Sequence, residues 1–189
     1  RFLPEILARF AASNPRAEVT VVCAPTPLLV EAVRNDELDV AIITHVRDKG
    51  QAEVIRREPL LWVGSQRHGT HEIDPLPLAL GRPTCDWRRA AVEGLERAGR
   101  RHRLLYVSWN STAVGAAVLA GLAVSVLPES AFRQGMRVLG EQEGFPRLPS
   151  VEIGLVRGRG GRNPVAEALC GHILSSLDNL STGMDRAAV

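Results

Sequence analysis

Cys85, Trp87 and Arg88 fall within four residues of the stretch RPTCDWRRAA, Arg82 to Ala91. A guanidinium is a planar fork that holds a carboxylate through parallel hydrogen bonds, an indole is an apolar wall, and a thiol is a weak donor. The trio suits recognition of a small acidic molecule. Three other places have the same character. Thr26 and Pro27 open one helical pattern, Ser108, Trp109, Asn110 and Ser111 lead into another, and Thr44 and His45 close an apolar run. Their hydroxyls, amide and imidazole can donate to a bound molecule, and Trp109 can wall or cover it. Each has a plain structural alternative: Trp87 in a core, Arg88 and Arg89 facing water, Thr26 as an ordinary N-cap, His45 in a loop without a role.

Bond-making chemistry finds little support. RGRGGR has neither GxGxxG nor Walker spacing and reads as a turn between a strand and a helix. His68, His71, Glu72 and Asp74 are metal-ligating types, but they crowd one short loop without the spacing of a zinc site. A GxSxG elbow is absent. The reading is a binding protein: no enzyme, no cofactor, no metal.

The chain that must hold these residues has 189 of them, 45% hydrophobic and only 4% aromatic, with a net charge of +2. That is the composition of an α/β globule rather than of a disordered chain. No apolar run has the length of a membrane span, and the reading includes no membrane partner. The basic residues are arginines, apart from Lys49, and alternate with acids, which describes a solvated surface rather than a nucleic-acid face. Three cysteines, Cys23, Cys85 and Cys170, are odd in number and far apart, which argues against a disulfide framework and fits a reducing cytoplasm. A start at Arg1 reads as a piece of a longer protein.

Periodicity supplies the elements. Phe2 to Ala12 has helical spacing and stops at Asn14-Pro15. EVTVVC alternates as a strand, a helix follows with Thr26 as N-cap and Pro27 in its first turn, and LDVAII returns as a buried strand. Strand, helix and strand with short links predict a parallel βαβ unit. The pattern recurs as PLPLAL followed by a helix from Arg88 to Ala98, and as a strand through Val107 followed by a helix capped at Asn110 or Ser111 and closed by Gly121. LAVSVLP and VEIGLV are further strands, and Pro164 to Leu177 is the last helix. Thr26, Thr84 and Ser111 thus stand at or near helix starts that follow strands. In such sheets these starts gather at one edge and favour anions.

Four segments, FLPEILARFAASNP, LLVEAVRNDELDVAII, EPLLWVGSQRH and NSTAVGAAVLAGLAVSVLP, occur in an order and at a spacing that resembles the effector-binding region of LysR-type transcriptional regulators. The resemblance covers about residues 1 to 180; it departs at His68-Gly69, where the family usually shows His-Pro. It implies two α/β lobes of the type II periplasmic-binding-protein kind, each a doubly wound, mostly parallel sheet, joined by two crossing strands. Residues 1–66 with 155–189 form lobe I, and residues 67–154 form lobe II. A small acidic or polar effector then lies in the cleft, with Thr26, Pro27, Thr44 and His45 on one side and Cys85, Trp87, Arg88 and Ser108 to Ser111 on the other. The resemblance also implies a homodimer or tetramer, the helix Phe2 to Ala12 meeting Thr112 to Ala120 of a second copy, and contact with DNA only through an N-terminal winged helix-turn-helix outside this chain. The alternative is a free-standing solute-binding protein of the periplasmic type.

Overall fold

The computed structural model describes residues 2–44 and 52–177. The chain divides into two compact units, Arg1–Arg57 with Glu152–Val189, and Glu58–Val151.

In the first unit, helix α1 (Leu3–Ser13) carries a proline in its opening turn and buries Ile6 and Phe10. It packs against α5 (Pro164–Leu177), where the rings of Phe10 and His172 meet edge to face at 6.0 Å and Ser13 Oγ lies 3.0 Å from His172 Nε2. Asn163 caps α5, its Oδ1 accepting from Ala166 N at 2.9 Å. Strand β1 (Val40–Thr44) pairs antiparallel with β7 (Ser150–Arg157), and β7 neighbours β2 (Glu53–Ser65). Ile6, Ile55, Ile153, Leu155, Cys170 and Ile173 form the core beneath α1 and α5. Helix α2 (Thr26–Arg34) lies over β1 through Val33.

Residues 18–23, read from the sequence as the first strand of a βαβ unit, join no described ladder, and Val19, Val21 and Val22 are exposed. Alternation alone does not make a strand, because a ladder needs a partner edge. The pairing described in this unit is therefore antiparallel, since β7 runs back along β1.

The second unit has the doubly wound arrangement. β3 (Leu76–Leu80) and β4 (His102–Val107) are parallel, and a parallel bridge from Leu78 to Val124 leads to β5 (Ser125–Pro128). β3 is buried along its whole length, as expected for a strand covered on both faces. Leu76, Leu78 and Leu80 pack with Ala91 and Leu95 of α3 (Asp86–Arg97), whereas Ala79 faces Val114, Ala117 and Val118 of α4 (Ser111–Leu119). Antiparallel β5 and β6 (Met136–Leu139) flank the second half of β2.

Glycines mark where two of these helices stop. Gly99 and Gly121 adopt φ of 63° and 72° just beyond α3 and α4, a conformation that closes a helix and that other residues resist.

Candidate functional site

Parallel strands end on one edge, and three segments of the second unit leave from it. Leu80 of β3 pairs with Val107 of β4, and Ser108 N donates to Leu80 O at 3.1 Å, so the chain exits of these strands are adjacent. The bridge of Leu78 to Val124 brings the exit of β5 to the same side. Such edges are where doubly wound folds bind ligands.

The opening cluster sits at the first exit. Cys85, not Thr84, is the N-cap of α3; Thr84 is an exposed residue one place earlier. The Cys85 side chain packs on the backbone of Gly81, where an added Cβ would come within 2.8 Å of the cysteine Cβ and 2.9 Å of its Sγ. Half-buried Arg88 folds back over the same turn, its Nη1 donating to Gly81 O at 3.3 Å. Trp87 packs against the leucine core of the unit, and Arg89 turns outward to Asp86 and Glu93. The four residues thus divide: Trp87 supports, Arg89 faces water, and Cys85 and Arg88 line the strand end.

At the second exit Asn110 is the N-cap of α4. Its Oδ1 accepts from Thr112 N at 2.8 Å, while its own N–H donates to Ser108 Oγ at 3.1 Å. Trp109 is 51% exposed and Ser111 is exposed in the first turn. A residue with no signal in the sequence, Arg133, reaches the start of α4 from just before β6, its Nη2 donating to Thr112 Oγ1 at 3.1 Å.

The arginines differ in their partners. Arg57, Arg89, Arg101, Arg137, Arg147 and Arg157 all have carboxylate partners. Arg88 and Arg133 are held by neutral oxygens, and among the described residues neither has an ion pair. The N-terminus of α3, which has no side-chain cap, lies beside Arg88, and that of α4, capped by Asn110, lies beside Arg133. The arrangement can hold an anion; it contains no assembled nucleophile and base.

The first unit offers a smaller set. α2 takes Pro25 as N-cap, so Thr26 is its first helical residue rather than the cap, and Pro27 follows in the first turn. The Thr26 hydroxyl is used elsewhere, donating to Thr44 O at the end of β1 at 2.9 Å, which joins these two candidate residues. Pro25, whose φ is fixed near the helical value, accepts from Leu28 N and Leu29 N through its carbonyl. His45 lies outside the described residues.

RGRGGR is a turn wrapped around Asp39. Gly158 N donates to Asp39 O at 2.8 Å, and a Cβ on Gly160 or Gly161 would collide with Asp39, so the glycines serve close backbone approach. A groove of about 700 Å³ lies in the second unit, lined by residues including Leu60, Trp62, Val138, Glu141 and Pro146, and none of the candidate residues lines it.

Comparison with known proteins matches residues 1–178 to the LysR substrate binding domain. The chain is 35% identical over 179 residues to the HTH-type transcriptional regulator DgdR of Burkholderia cepacia, covering 95% of this chain and 61% of DgdR. It is 28% identical to the HTH-type transcriptional regulator PecT of Dickeya dadantii (strain 3937), covering 88% of this chain and 53% of PecT. It therefore spans little more than half the length of these relatives. Among solved structures, the CcmR regulatory domain of Synechocystis PCC6803 in complex with 2-PG superposes with a TM-score of 0.71 at 16% identity, covering 95% of this chain and 92% of that one. A likeness at that identity concerns the fold, which is the α/β fold of LysR regulatory domains, of the type II periplasmic-binding-protein kind.

Proposed function

The chain belongs to the LysR substrate-binding-domain family, and from that premise we propose that it is the ligand-sensing region of a LysR-type transcriptional regulator. It binds a small acidic effector and passes the change to a separate winged helix-turn-helix that contacts DNA. The length of the relatives beyond this chain leaves room for such a segment, and both relatives carry HTH-type names. Those names give the solute-binding alternative no support. The setting is the cytoplasm, and among the described residues no helix is long and apolar enough to cross a membrane.

The observation that carries the choice of effector is Arg88 at the exits of β3 and β4, half-buried, bonded to Gly81 O and without an ion pair among the described residues. An effector contacts Arg88, Cys85, Asn110 and Ser111 there. Ser108 serves by positioning Asn110, Trp87 by supporting the turn, and exposed Trp109 by covering the ligand. Thr26, Pro27 and Thr44 offer the corresponding strand end of the first unit, and His45 follows Thr44 directly. Binding regulates only through a difference in affinity between two conformations of the full protein.

Self-association belongs to the same reading. β4 is an edge strand with a register shift, and it exposes Leu105, Tyr106 and Val107; Val19, Val21 and Val22 are exposed and join no ladder among the described residues. Apolar edges of this kind seek partner chains. A second copy covers them in a homodimer or tetramer, with α1 and α4 at the contact.

The test is thermal shift against a panel of small organic acids, because a ligand that binds only the folded state raises stability by mass action. At least one acid should raise the melting temperature of the wild type and shift Arg88→Ala far less. A panel of acids without effect, beside a neutral compound that binds, would overturn the acidic assignment.

A further inference from the structure

We infer, resting on the acidic-effector reading, that Gly81 is the residue that positions Arg88 for the effector: its carbonyl aims the guanidinium, and its lack of a side chain lets Cys85 close the turn that brings the two together. Gly81 directly follows β3, and α3 begins at Asp86. Cys85 N donates to Arg82 O at 2.9 Å, which folds the link between them into a tight turn. The Cys85 side chain then packs so close that a Cβ on Gly81 would lie 2.8 Å from the cysteine Cβ and 2.9 Å from its Sγ. From the opening of α3, Arg88 returns to the same place, its Nη1 donating to Gly81 O at 3.3 Å.

This glycine is required by crowding rather than by backbone shape. Gly81 is not among the glycines with positive φ, so an alanine can adopt its conformation and meets only the overlap. Carbon atoms in contact lie about 3.5–4.0 Å apart, so the 2.8 Å separation must open by about 0.7 Å. Rotation moves Sγ aside, but Cβ goes only where the backbone goes, and Gly81 or the start of α3 has to shift. The Arg88 bond, at 3.3 Å, is already at the long end of the N–H···O range and does not survive such a shift. A guanidinium released from Gly81 O keeps its charge but must be ordered by the effector, and ordering one long side chain opposes binding by about 2- to 12-fold.

Calorimetry on the wild type, with formate to hexanoate, oxalate to adipate and benzoate as probes, selects an acid that binds. Gly81→Ala should bind that acid about 2- to 12-fold more weakly. Cys85→Gly removes the overlap and leaves a residue accepted at an N-cap, so in that background Gly81→Ala should cost no affinity relative to Cys85→Gly alone. In an Arg88→Ala background Gly81→Ala should again leave affinity unchanged, since no fork remains to be aimed, although it still lowers the melting temperature; a purely structural role would weaken binding with or without Arg88. Wild-type affinity in Gly81→Ala, or an equal loss in the Cys85→Gly or Arg88→Ala background, overturns the inference while the acidic reading stands. If Gly81→Ala alone does not fold, Gly81→Ala with Cys85→Gly must fold and bind as Cys85→Gly does, and failure there overturns the inference as well. A wild type that binds none of these acids ends the acidic reading and the inference with it.

Discussion

Gly121→Ala should be among the most damaging single-methyl additions in the second unit. Gly121 follows α4 with φ of 72°, and its N–H donates to Val118 O at 2.9 Å while its carbonyl accepts from Thr70 Oγ1 at 2.8 Å, so the backbone cannot easily turn away. A side chain in that conformation costs about 1–2 kcal/mol. The new Cβ would also strike the His68 ring and come within 2.8 Å of the His68 Cβ. Forcing an extra carbon into an occupied place costs about 1–3 kcal/mol more, giving about 2–5 kcal/mol in all. A loss of that size lowers the melting temperature by roughly 5–15 °C in a chain of this length. Urea titration followed by circular dichroism measures it, with His68→Gly completing a double-mutant cycle. In the His68→Gly background Gly121→Ala should cost only the backbone part, about 1–2 kcal/mol. Equal costs in both backgrounds would mean that the ring does not press on Gly121. A cost below about 0.5 kcal/mol in wild type would refute the backbone argument too.

Cysteine chemistry should divide by burial: an aromatic disulfide reagent should label exposed Cys23 quickly, half-buried Cys85 more slowly and more slowly still with effector bound, and Cys170 only on unfolding, because burial raises the Cys170 thiol pKa. The Glu143 carboxyl is held below its ordinary value first by the Gly140 backbone N–H and then by Arg137. Its folded value lies below its unfolded one, so its contribution is present above the unfolded value near 4.5 and is lost as pH falls through the folded value; Glu143→Gln should therefore flatten the acid limb of a stability-against-pH curve, and an unchanged limb would contradict this. Sedimentation should find a dimer at tens of micromolar that Ala116→Trp, on the exposed side of α4, dissociates; a persistent dimer would remove that face from the contact.

Much of the frame was legible because its signals are local. The helices that became α3 and α4 were marked by the glycines that end them, and β3 and β5 by short apolar runs with prolines beside them. The errors lie where a local pattern depends on a distant partner. EVTVVC alternates but has no described ladder, and Thr26 looks like a cap yet gives its hydroxyl to Thr44 eighteen residues away. β6 is only four residues long, too short for a period to register. Cys85 and Arg88 were visible as residue types at a helix start; that Arg88 returns to Gly81 was not. Arg133 was beyond reach, since its contact with Thr112, which lies far from it in sequence, follows from the fold rather than from any motif around it.

The central claim is that the exits of β3 and β4 receive an acidic effector through Arg88. Titration of the best-binding organic acid into wild type, Arg88→Ala and Arg101→Ala tests it directly, because Arg101 is an exposed arginine already paired with Asp74. Loss of a charged hydrogen bond of about 1.5–3 kcal/mol predicts that Arg88→Ala weakens binding by about 10- to 150-fold, with Arg101→Ala unchanged. Binding of that acid by Arg88→Ala at wild-type affinity would contradict the account and leave RPTCDWRRAA as the opening of a helix and nothing more.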